Sequence, residues 1–130
     1  MPFELKMLAL MTVLFLIAWL PSSIAKWQSF GGRWLASNRN PLAGKELPPW
    51  GARAERAHSN LKDNFPGFIV AILILGWGSK FDSYTSWAAG LYVMGRIIHF
   101  VAYTAGNVLV RALSYFLALG ANIYLLLQVF

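Results

Sequence analysis

The chain contains no cysteine. That excludes disulfides, thiolate metal sites and a protein thiol nucleophile. Charge is scarce as well: Asp, Glu, Lys and Arg make up 12% of the 130 residues, against roughly 25% in soluble domains. Acid is scarcest, with 5 Asp and Glu against 11 Lys and Arg, and there are 2 histidines. His58 and His99 each stand alone without metal-ligand spacing, so no zinc site is expected. Heptads, internal repeats and low-complexity runs are missing too, which excludes coiled coils and solenoids.

Hydrophobic residues fill what remains, at 58% of the chain, with mean hydropathy +0.53. The expectation is an all-α integral membrane protein of one domain, with room for about four spans of about 20 residues. The apolar segments place helices at about residues 4–21, 51–78, 84–105 and 108–130. A cleaved signal peptide competes for the first, since Ser23-Ile24-Ala25 loosely resembles a cleavage site; an uncleaved anchor is expected. Residues 22–50 read as a polar connection rich in Gly, Pro, Asn and Ser. Pro48-Pro49 open the second helix, where proline is well placed, and Pro66 sits inside it. Gly106-Asn107 mark the last break. Ala88-Ala89-Gly90 and Gly95 suit close helix contact. Trp19, Trp27, Trp50, Trp77 and Trp87 fall near helix ends, as interfacial anchors do.

The net charge of +6 does not indicate nucleic acid, because the basic residues gather in loops and at helix ends. Residues 22–50 hold Lys26, Arg33, Arg39 and Lys45 against Glu46 alone, so this loop is expected on the cytoplasmic side. Helix two then starts, helix three ends and helix four starts at that face. Arg53, Arg56, Asn60, Asp63, Arg96, His99, Tyr103 and Arg111 converge in one leaflet. Ionisable groups at membrane depth are costly and mark function, so this convergence is the candidate site.

On helix two, Arg56, Asn60 and Asp63 fall at i, i+4 and i+7, one stripe that Arg53 extends. On helix three, Arg96, His99 and Tyr103 fall at i, i+3 and i+7. Such a set suits a small ligand with carboxylates and an ammonium, Arg taking the former and Asp the latter. The plain alternative is an interhelical network, such as Asp63 paired with Arg96. For Arg53, contact with lipid headgroups by snorkelling is expected. Arg111 reads either as a positive anchor or as a partner that favours a bound thiolate by lowering the thiol's pKa.

Arg56-Ala-His58-Ser-Asn60-Leu-Lys-Asp63-Asn64-Phe-Pro66 resembles the helix-two signature of the membrane-associated proteins in eicosanoid and glutathione metabolism, the MAPEG family. Gly95-Arg96-Ile-Ile-His99-Phe-Val-Ala-Tyr103 resembles helix three of its prostaglandin E synthases. Asp63 stands where the family has Glu, and Asn64 where leukotriene C synthase has an aromatic residue. The resemblance implies a four-transmembrane-helix bundle assembled as a homotrimer. It also implies glutathione as cosubstrate, held between protomers near the cytoplasmic side. By matched position Arg56, Asn60, Asp63, Arg96, His99 and Tyr103 are the glutathione contacts. Arg111 matches the arginine that stabilises the thiolate, and Arg33 loosely matches a first-loop arginine.

What the resemblance implies is a membrane-bound glutathione transferase or peroxidase acting on a lipophilic electrophile or hydroperoxide. The alternative is a non-enzymatic protein of the same fold that binds or presents lipid. A transporter fits less well, because one-sided polar residues make no path across a bilayer.

Overall fold

The computed structural model describes residues 1–130, and every regular element in it is a helix. The first two, α1 (Phe3–Ile17) and α2 (Leu20–Phe30), run nearly end to end. Pro21 has no N–H to close a bond on Ile17, which accounts for the break at Ala18-Trp19. The Ser22 hydroxyl and the Ser23 amide both donate to the Trp19 carbonyl, at 3.0 and 3.1 Å, and restart the helix. The 28 residues Phe3–Phe30 extend about 42 Å at about 1.5 Å per residue, more than the roughly 30 Å hydrocarbon core of a bilayer.

The expected helix end near residue 21 is therefore corrected to Phe30. Composition reads 22–30 as loop, but Ser22 and Ala25 are buried on one face of α2. That face meets α4 at Gly51, where a Cβ would come within 2.5 Å of the Ala25 methyl. Lys26 also pairs with Glu55 across the same contact. Tertiary burial overrides the polar composition. Gly31, with φ 85°, ends α2, and a single turn follows, α3 (Gly32–Leu35).

Pro49 occupies the first turn of α4 (Pro49–Trp77), where a missing N–H costs nothing. Pro66 does not end this helix. Pro66 lacks the N–H that would bond the Lys62 carbonyl; around it, Tyr92 OH donates to the Asn64 carbonyl at 3.0 Å, and Asn64 Nδ2 to that of Asn60 at 2.8 Å. Asp82 and Thr85 form a capping box at the start of α5 (Ser83–Ala105), with bonds of 2.7 and 2.8 Å. Gly106, in the left-handed region at φ 88°, closes that helix. Asn107 caps α6 (Val108–Leu127) by accepting the Val110 N–H at 3.0 Å.

Helices α1, α4, α5 and α6 share one apolar core. Phe68 stacks on Tyr92 at 4.0 Å, Phe15 meets Phe65 at 5.3 Å, and Met11, Leu61, Ile72 and Leu125 fill the space between. α5 and α6 pack tightly at Gly95, where a Cβ would lie 3.0 Å from the Ser114 carbonyl oxygen and 3.1 Å from Ala118 Cβ. Glu4 is buried at 2% exposure at the far end of the bundle. Its Oε1 accepts from the Thr85 and Ser86 hydroxyls, at 2.6 and 2.8 Å, and ties the start of α1 to the start of α5.

Two stretches are long and apolar enough to cross a membrane, Phe3–Phe30 with mean hydropathy 2.1 and Val108–Leu127 with 1.6. α4 and α5 are as long but carry the polar stripes. Trp77 and Trp87 project outward from their helix ends, largely exposed.

Candidate functional site

Arg96 is the centre of the arrangement. It sits on α5 one residue after Gly95, so the close α5–α6 contact encloses it, and it is 1% exposed. Its Nη2 donates to Asn60 Oδ1 on α4 at 2.8 Å. Its Nε is buried without a partner. No carboxylate lies within ion-pair distance, since the chain's one ion pair is Lys26–Glu55. A buried guanidinium answered only by a neutral amide is poorly compensated, because burial removes a cation from water and calls for an anion in exchange. The expected alternative of an Asp63–Arg96 pair is thus not formed.

The stripes are real, but their members divide. Asn60 is partly buried and turned to Arg96, whereas Arg56 and Asp63 are exposed on the flank of α4. These three lie within about 60° of one another around a helix that turns about 100° per residue. The stripe therefore straddles the edge of the α4–α5 contact, with Asn60 inside and the two charged groups outside.

One turn after Arg96, His99 is buried and its Nδ1 also lacks a partner. The Tyr103 ring meets it edge-on at 5.5 Å, and the Tyr115 ring lies at 5.9 Å. The Arg111 guanidinium, in the first turn of α6, rests over the Tyr103 ring with Cζ 4.6 Å from its centroid. This cation–π contact holds the charge beside the cluster without neutralising it. The two-residue turn at Gly106-Asn107 makes the contact possible, folding α6 back on the last turn of α5.

The structure thus brings Asn60, Arg96, His99, Tyr103 and Arg111 together. Arg56 and Asp63 stand beside them at the same depth, facing outward. Tyr115 was missed from sequence; it follows Arg111 by four residues and so shares its face, a signal that could have found it. Asn64 and Tyr92 support the group from below through the bonds around Pro66. Chemically, the cluster offers two guanidiniums, an imidazole, an amide and phenols, with two buried nitrogens unanswered. Such a set of donors has the chemistry to hold an anion, and the Asp63 carboxylate stands nearby.

A family model described as the MAPEG family matches residues 6–130. No curated protein matches the chain.

Proposed function

The chain belongs to the MAPEG family, a membrane-bound family, and on that premise we propose a membrane-bound glutathione transferase or peroxidase. Family membership points to glutathione-related transferase, isomerase or lipid chemistry; the finer assignment rests on the site. One observation carries it: Arg96 is buried, bonded only to Asn60, and paired with no acid. Such a group is incomplete until an anion joins it. Glutathione supplies two carboxylates, an ammonium and a thiol.

In this reading Arg96 and Arg56 hold the carboxylates of glutathione and Asp63 takes the ammonium. Asn60 aims the Arg96 fork, and His99 and Tyr103 line the seat. Arg56 and Asp63 face outward in a single protomer, which fits a ligand gripped partly by a neighbouring copy, as in a homotrimer. Arg111 is the group that acts on the thiol. A fixed guanidinium favours the thiolate over the thiol, and its seat on Tyr103 keeps it in place without consuming its charge. The thiolate then attacks a lipophilic electrophile and expels its leaving group, or attacks the terminal oxygen of a hydroperoxide, breaking the O–O bond to release the alcohol, with a proton from water, and leaving glutathione sulfenic acid, which a second glutathione converts to the disulfide and water. Positioning and charge stabilisation are the two contributions. Four spans, with the basic 26–45 segment and the site on the cytoplasmic side, complete the proposal.

The test is ultraviolet difference absorbance of the detergent-solubilised protein on adding glutathione at neutral pH. Thiolate absorbance that saturates with glutathione is expected. A folded protein giving no such signal sinks the transferase reading and leaves the non-enzymatic lipid binder of the same fold.

A further inference from the structure

Four side chains close a circuit between α4 and α5 around the Arg96 guanidinium. Asn60 and Asn64 stand one turn apart on α4, and Tyr92 and Arg96 one turn apart on α5. Arg96 Nη2 donates to Asn60 Oδ1 at 2.8 Å. Asn64 Nδ2 donates to the Asn60 carbonyl at 2.8 Å and lies 3.5 Å from the same Oδ1. Tyr92 OH donates to the Asn64 carbonyl at 3.0 Å. Tyr92 is 1% exposed, and Phe68 pins its ring, stacked at 4.0 Å with 10° between the planes. Arg53, expected to snorkel, instead donates its Nε to the Thr104 carbonyl at 3.0 Å and stays outside the circuit.

An asparagine amide has an acceptor end and a donor end of nearly the same shape, and either can face a neighbour. At Asn60 two donors make the choice. Arg96 Nη2 and Asn64 Nδ2 both face Oδ1. A flipped amide would set its N–H2 against a guanidinium and a second amide. The Asn60 N–H2 is therefore turned the other way. It makes no hydrogen bond within the protein and, unlike Arg96 Nε, is not sealed from its surroundings.

The backbone gives Tyr92 its part. Pro66 leaves the Lys62 carbonyl without a helical N–H, so α4 is softened close to where Asn60 and Asn64 must keep register with Arg96. The Tyr92 hydroxyl crosses from a helix without an internal proline to the residue two before Pro66. We propose that Asn64 and Tyr92 are positioning residues for the anion seat. They fix Asn60 with its oxygen on Arg96 and its N–H2 toward a bound carboxylate. Neither touches the ligand. The ligand named here rests on the glutathione reading, which the inference deepens; the circuit itself can be read without any ligand.

The experiment uses the full chain in detergent, with glutathione affinity measured by equilibrium dialysis and thermal unfolding followed without ligand. Asn64→Leu removes both amide contacts. Tyr92→Phe keeps the stacked ring and removes only the hydroxyl, so it is the variant to use where Asn64→Leu folds poorly. Glutathione should bind about 10-fold more weakly to Asn64→Leu and about 3-fold more weakly to Tyr92→Phe. With Arg96→Met as background there is no guanidinium to aim, and the same substitutions should then change affinity by less than about 2-fold. Equal losses in both backgrounds are what a merely structural role produces, and they overturn the proposal. Asn60→Asp keeps the acceptor for Arg96 but has no donor for the ligand, so it should weaken glutathione by more than about 10-fold. An Asn60→Asp protein that binds like the unsubstituted chain overturns the proposal too. If the unsubstituted chain binds no glutathione, the glutathione reading fails separately. The circuit then stands if Asn64→Leu and Arg96→Met shift the ligand-free midpoint non-additively, and falls if their shifts simply add.

Discussion

Replacing Arg96 with methionine separates two roles that one hydrogen bond leaves entangled. Methionine keeps much of the volume and flexibility of the side chain but removes its charge. If the guanidinium is a structural strut, its loss forfeits the bond to Asn60, and a hydrogen bond to a charged group contributes about 1.5–3 kcal/mol. If it is a receptor waiting for an anion, the protein without ligand is already burdened by a poorly compensated cation. Apolar replacement is then neutral or stabilising, as for other buried charges. The burial of Arg96, its unpaired Nε and the missing acid favour the second case. Glutathione at a hundred times its dissociation constant stabilises the unsubstituted protein by about 2.7 kcal/mol. Loss of a charge-assisted contact of about 2 kcal/mol weakens binding roughly 30-fold. The same ligand concentration then contributes only about 0.9 kcal/mol. Thermal unfolding in detergent, with and without glutathione, reads both quantities. The expected pattern is an unchanged or raised midpoint without ligand and a much smaller ligand-induced shift. A variant that melts far lower without ligand, yet keeps its full shift, refutes the reasoning and makes Arg96 a strut.

Arg111→Ala should bind glutathione nearly as well, because its guanidinium leans on Tyr103 and not on the Arg96–Asn60 pair, while turnover falls about 100-fold, the scale of losing one charge-stabilising donor; equilibrium dialysis and steady-state rates check the split. Gly95→Leu should lower stability by about 1–3 kcal/mol through overpacking, since even a Cβ crowds the Ser114 carbonyl, and denaturation in detergent measures it. Glu4→Leu should cost about 1–3 kcal/mol by stranding the Ser86 hydroxyl, the Thr85 hydroxyl keeping the Asp82 carbonyl, with no change in glutathione affinity, because the contact lies at the opposite end of the bundle; a parallel loss of affinity would contradict that separation.

Stop and start signals made the last three helices legible. Pro48-Pro49 and Gly106-Asn107 are local chemistry, and local chemistry is visible in sequence; the Asp82 cap of α5 is as local but emerged only from the structure. The residues 22–30 were not legible, because their helix is held by burial of Ser22 and Ala25 against Gly51 and not by composition. For the candidate site, position along each helix was legible and azimuth was not. Spacing placed Arg56, Asn60 and Asp63 on one stripe, yet it could not say which member turns inward, and Asn60, not Asp63, proved to be the partner of Arg96. Tyr115 escaped notice because a tyrosine among apolar residues looks like any other aromatic in a membrane helix. Glu4 escaped because an acid at the start of a chain reads as a flanking charge until a second helix supplies its hydroxyls.

The turn at Gly106-Asn107 leaves no slack. With so few residues between them, the rotational phase of α6 about its own axis is inherited directly from the end of α5. One residue inserted there would advance α6 by about 100°. Every helix would survive, but Arg111 would swing off the Tyr103 ring and Ser114 and Ala118 would leave Gly95. The cation of the candidate site is thus indexed by the length of a turn, and natural variation in that length would retune the chemistry without altering a single side chain of the site.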